Sequence, residues 1–83
     1  MQNNFSNTPD DEIRHFYKNI SKKIKYFRKK NGISQLDLAL DIGIKSVAFY
    51  SNCENNKYEK HFNLEHLYKI SKSLNISIQE LLE

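Results

Sequence analysis

The chain interrupts itself at short, regular intervals. Ser34, Ser46, Asn63 and Ser77 each stand just ahead of a short run, whereas Gly32, Gly43 and Asn75 stand just behind one. Ser and Asn side chains accept from the free N–H groups of a first helical turn, and Gly and Asn tolerate the left-handed backbone that ends a helix. Between these marks apolar residues recur at three- and four-residue steps, the spacing of one helical stripe. A chain of 83 residues cut this often is expected to fold as an assembly of short helices around one small core.

The first helix starts near Pro9, with Thr8 as its cap, Pro9 at the first helical position and Asp10, Asp11 and Glu12 facing the positive end of the dipole. Its stripe is Ile13, Phe16, Tyr17, Ile20, Ile24 and Phe27, and Lys29, Lys30, Asn31 and Gly32 close it. The spacing fits one long helix or two broken near Asn19. A second helix over residues 35–42 turns Leu38, Ala39 and Ile42 inward. A third follows Ser46 with Phe49, Tyr50 and Cys53 inward, and Asn55, Asn56 and Lys57 stop it. After a polar, basic linker to Phe62, a fourth helix starts behind Asn63 with Leu64, Leu67, Tyr68, Ile70, Ser71 and Leu74 on its inner face. Ser77 and Glu80 form a capping box ahead of Leu81 and Leu82. The sequence predicts an all-α, five-helix fold: a flexible tail over residues 1–8 and one domain over 9–83, with its core in 20–82.

Thirteen Lys and Arg stand against ten Asp and Glu, a formal charge of +3 that favours a polyanionic partner. Cys53 is the single cysteine, so no internal disulfide forms, and its inward position fits a small core residue better than a redox sensor. No run approaches the roughly 18 apolar residues of a membrane span, and the first residues lack a secretory pattern, which predicts a cytoplasmic protein. His15, His61 and His66 have no companion cysteines or zinc-type spacing, and the chain contains only two glycines and no phosphate-cradling loop. Neither a metal, a cofactor nor an enzymatic activity is expected. Tyr50, Tyr68 and Phe49 read as core residues, and the lysines at 22, 23, 25, 29, 30, 69 and 72 as solvated faces.

Residues 24–82 resemble the Cro and phage-repressor type helix-turn-helix family, also called the XRE family. The resemblance rests on Ile24, Phe27 and Arg28; on Asn31-Gly32-Ile33-Ser34-Gln35; on Leu38, Ala39, Ile42 and Gly43; on Ser46, Tyr50, Ser51 and Cys53; on Glu54-Asn55-Asn56-Lys57; and on Asn63, Leu64 and the segment from Leu67 to Leu82. The fold it implies is a Cro/repressor-like helix-turn-helix domain, here with an N-terminal helical extension. Two departures stand out. Ile44 and Lys45 separate Gly43 from Ser46 where the family usually has one residue, and Leu36 and Leu40 replace residues that are commonly polar. The stripe of Ile13, Phe16 and Tyr17, or a second subunit, is expected to cover those leucines.

The resemblance implies a double-stranded DNA partner and a regulator, a repressor or autoregulator, that acts by occupying DNA. The helix over residues 46–54 would enter the major groove and present Val47, Ala48, Ser51 and Asn52 to the bases. Gln35, Lys45, Ser46, Asn55, Asn56, Lys57, Lys60 and Arg28 would contact phosphates, with Arg28 also matching a family position that pairs with Glu54. Asn52 can pair with adenine N6 and N7, and Val47 and Ala48 can meet thymine methyls, so an A·T-leaning, palindromic operator bound by a homodimer is expected. The alternative on the same fold is a protein-binding adaptor or antitoxin with weak or no DNA binding.

Overall fold

The computed structural model describes residues 7–83. Among them are five α-helices, α1 (Asp10–Lys30), α2 (Gln35–Asp41), α3 (Val47–Glu54), α4 (Leu64–Leu74) and α5 (Ile78–Leu82), with a tight turn at Lys57–Glu59 and no strand. The fold is all-α, as the punctuation predicts. Residues 1–6 of the expected tail lie outside the described residues.

α1 is a single helix of 21 residues with no break at Asn19. It begins one residue later than expected. Pro9 is the cap rather than the first helical residue, because its ψ of 145° is extended while its carbonyl accepts from Glu12 and Ile13 N–H. The other cap residues are the ones the sequence marks, although the box expected of Ser77 and Glu80 forms only its Ser77 half. Ser34 Oγ accepts from Asp37 N–H at 3.0 Å, Ser46 Oγ from Phe49 N–H at 3.1 Å and Ser77 Oγ from Glu80 N–H at 3.2 Å. Asn63 and His66 form a reciprocal box, in which Asn63 Oδ1 accepts from His66 N–H at 2.7 Å and His66 Nδ1 accepts from Asn63 N–H at 3.2 Å. Asn75 stops α4 in the left-handed region.

The core draws on every helix: Ile20 and Ile24 of α1, Leu38 and Ala39 of α2 with Ile42 just beyond it, Tyr50 and Cys53 of α3, Leu67, Ile70 and Leu74 of α4, and Leu81 of α5. Phe62 and Ile44 enter it from the connections. Buried polar groups are satisfied locally or across elements, since Ser21 Oγ donates to the Cys53 carbonyl and Ser71 Oγ to the Tyr68 carbonyl. Ser73 donates to the Asp41 carboxylate and ties α4 to α2.

Several inward expectations fail at helix margins. Leu64 and Tyr68 are 73% and 55% exposed, and Phe49 is 37% exposed. Each lies about 100° around its helix from a buried neighbour or beyond the first packed turn, so the arc that meets α1 and α2 excludes it. Tyr68 instead carries Lys72 Nζ over its ring at 5.3 Å. The N-terminal stripe also packs elsewhere than expected. Tyr17 stacks on His61 with ring centroids 3.8 Å apart, and Arg14 reaches Glu59, so the first half of α1 docks on the segment before α4. Ile13 and Phe16 remain exposed, and so do Leu36 and Leu40, which α1 does not cover.

Candidate nucleic-acid interface

α2 and α3 meet at a turn with a fixed frame. The α2 helix ends at Asp41, Gly43 takes φ +84°, and Ile44 turns back into the core with its N–H on the Ala39 carbonyl at 2.8 Å. Lys45 is exposed, and Ser46 caps α3. The extra residue of this turn is therefore absorbed at Lys45, between a buried anchor and a cap, without disturbing either. Beyond it the chain stays on the surface: Lys45, Ser46, Val47, Ala48 and Phe49 are all exposed, whereas Ser51 and Asn52 are half-buried.

Behind this tip the orientation of α3 is held by a buried ionic network. Arg28 Nε and an Nη donate to the two oxygens of Glu54 at 2.9 and 3.0 Å, and the other Nη donates to the Ile33 carbonyl at 2.7 Å. Tyr50 donates its hydroxyl to Glu54 at 2.7 Å and Gln35 its amide at 3.1 Å, which gives each carboxylate oxygen two donors. One carboxylate thus joins α1, the start of α2 and α3. Burial pushes the Glu54 carboxyl up, but the hydrogen bonds from Arg28, Tyr50 and Gln35 outweigh it and hold the group below its ordinary 4.5. The hydrogen bond to Glu54 raises Arg28, and burial followed by the same bond raises Tyr50 well above the usual phenol range. Fully paired, this network costs little to bury; with one member removed it would leave a charge stranded.

The turn after α3 is equally constrained. Asn55 Nδ2 donates to the Ser51 carbonyl, and Asn56 Nδ2 donates to the Cys53 and Lys60 carbonyls. Asn56, Tyr58 and Glu59 all have positive φ, between 53° and 58°. Asn tolerates this conformation; an exposed Tyr there is strained. Lys57 and Lys60 are exposed on this loop.

The helix-turn-helix pattern matches residues 24–81, the whole span from the second half of α1 to α5. The chain belongs to this family. It is a helix-turn-helix protein of the Cro/C1 or XRE type, a family of DNA-binding regulators. No curated protein and no solved structure matches it.

On this helix-turn-helix scaffold the residues expected at DNA divide into two groups. Lys45, Ser46, Val47 and Ala48 are gathered at one exposed tip, with Ser51 and Asn52 on the next turn and Lys57 and Lys60 at the far end of α3. Arg28, Gln35, Asn55 and Asn56 instead spend side-chain donors inside the protein. Arg28 is the clearest case, since it is only 7% exposed and its guanidinium is occupied by Glu54 and Ile33. The pairing with Glu54 accounts for that residue and turns it away from the phosphate contact expected of it. Lys25 is expected on a solvated face, yet its Nζ donates to Asn55 Oδ1 at 3.0 Å, beside the end of α3. Its place on the same arc of α1 as Lys18 and Lys22 was the available signal. Among the described residues no helix is long and apolar enough to cross a membrane.

Proposed function

We propose that this protein is a repressor or autoregulator that binds a palindromic, A·T-leaning duplex as a homodimer, with the start of α3 in the major groove. The supporting observation is the exposed, Ser46-capped tip of α3, held from behind by the Arg28–Glu54 network. A helix of about 10–12 Å fits a groove of about 12 Å. Free N–H groups at the start of α2 and α3, together with Lys45, Lys57 and Lys60, face phosphates. Val47 and Ala48 meet thymine methyls, and Ser51 and Asn52 supply hydrogen bonds, with Asn52 addressed to adenine. Gln35 keeps a second amide hydrogen for phosphate while its first is on Glu54.

Selection of bound duplexes from a random pool, followed by titration of Asn52→Ala against the selected site, tests this reading. Selected sites rich in A·T and a loss of about 1–3 kcal/mol on Asn52→Ala are expected. Uniformly G·C-rich sites would overturn it. The exposed Leu36 and Leu40 favour one second reading, a protein-binding adaptor or antitoxin. That reading requires no duplex binding even at low salt, where a regulator binds most tightly.

A further inference from the structure

Between residues 13 and 36 the chain carries eight Lys or Arg and not one Asp or Glu, although its total charge is only +3. Arg14, Lys18, Lys22, Lys25 and Lys29 follow one another at steps of four, four, three and four, which places all five within a roughly 80° arc of α1. Arg28 is consumed by Glu54, and Arg14 has Asp11 and Glu59 within 4 Å. Among the described residues the lysines at 18, 22, 25 and 29 have no acidic partner, so α1 holds a row of like charges that repel one another in the free protein.

This row runs beside the DNA-facing elements. Lys25 is hydrogen-bonded to Asn55 at the end of α3. A cleft of about 170 Å³ is lined by Lys18, Ser21, Lys22, Lys25, Asn55 and Asn56, together with Glu54, whose charge is paired with Arg28. A second cleft shares Lys18, Asn55 and Asn56 with the first and adds Arg14 and Lys60, with Glu59 as its acidic member. We infer that the lysine arc of α1 is a second phosphate track, which binds the duplex backbone beyond the reach of α3 and extends the footprint of each subunit. Arg14, Lys18 and Lys22 precede the segment that carries the family pattern, so that pattern does not assign them. The arc between Lys18 and Lys29 spans about 16 Å at about 1.5 Å per residue, long enough to face several phosphates. The track rests on the DNA reading above, and it adds affinity without sequence information.

The test is the salt dependence of duplex binding by the full chain, for a selected site and a scrambled one, with Lys18→Gln/Lys22→Gln/Lys25→Gln compared with wild type. Each phosphate contact contributes about 0.9 to the slope of log K against log salt, so the triple variant is expected to flatten it by about 2–3 units on both duplexes. Its preference for the selected site should persist, and the corresponding triple arginine variant should restore the slope. Lys23→Gln/Lys30→Gln, off the arc, should change it by less than about half a unit. Circular dichroism checks that the helices persist. A wild-type slope that the triple variant retains overturns the track and leaves the DNA reading intact. A wild-type chain with no salt-dependent duplex binding overturns both.

Discussion

Glu54 is the residue on which the geometry of α3 turns. Its carboxylate is fully buried and receives four hydrogen bonds, so removing it strands the Arg28 guanidinium and the Tyr50 hydroxyl in the core. Glu54→Ala is expected to cost about 3–5 kcal/mol, a large part of the stability of a domain this small, measured as a lowered urea midpoint. Tyr50→Phe removes one donor and should cost about 1–2 kcal/mol. Because the folded carboxyl titrates below its ordinary 4.5, the stability it contributes is fully present above that pH and is lost as pH falls through the lower folded value. The strained Tyr58 works in the opposite sense. It is exposed and left-handed, so Tyr58→Asn should raise stability by about 1 kcal/mol, readable in the same urea titration.

At the level of elements, caps decide where each helix begins and therefore which residues reach the surface. Ser46→Ala deletes the cap of α3 and should cost about 1 kcal/mol in a thermal melt. The α4 cap is sensitive to pH. Burial holds His66 below its ordinary 6.5, outweighing the upward pull of Glu65, with a still smaller downward push from Lys69. Its Nδ1 must be unprotonated to accept from Asn63 N–H, and a cation at a helix start opposes the dipole. The unfolded chain therefore takes up a proton more readily than the folded one, and stability should fall as pH drops from about 6.5 through the lower folded value. His66→Gln keeps an acceptor without titrating, so its melting temperature should vary less between pH 8 and 5.5; equal variation would refute the assignment.

For the whole molecule, the long axis of 48 Å against 18 Å at the narrowest reflects α1, whose first half extends alongside the segment that leads into α4. A single α3 tip reads too few base pairs for a useful address, whereas two related tips read half-sites about 34 Å apart. A selected palindrome should therefore bind two chains, and inserting about five base pairs at its centre should abolish joint occupancy because it rotates one half-site to the opposite face. Sedimentation of the complexes with both duplexes distinguishes this from independent binding.

Capping and periodicity act within a few residues of chain, so the helices, four of their five caps and most of the core are legible in the amino-acid order alone. Ser34, Ser46, Asn63 and Ser77 mark real helix starts, and Leu38, Ala39, Ile42, Tyr50, Cys53 and Ile70 lie inside as their spacing requires. Which margin residues stay out, such as Phe49, Leu64 and Tyr68, is a matter of packing, since the width of a buried arc is set by neighbouring helices. Packing also decides that Tyr17 meets His61 rather than Leu36 and Leu40, that the Arg28–Glu54 pair implied by the family resemblance is buried rather than turned to phosphate, and that Lys25 arrives beside Asn55. Those contacts join residues about 26 to 44 positions apart, and distance in space between such residues is fixed by packing, which no local pattern encodes.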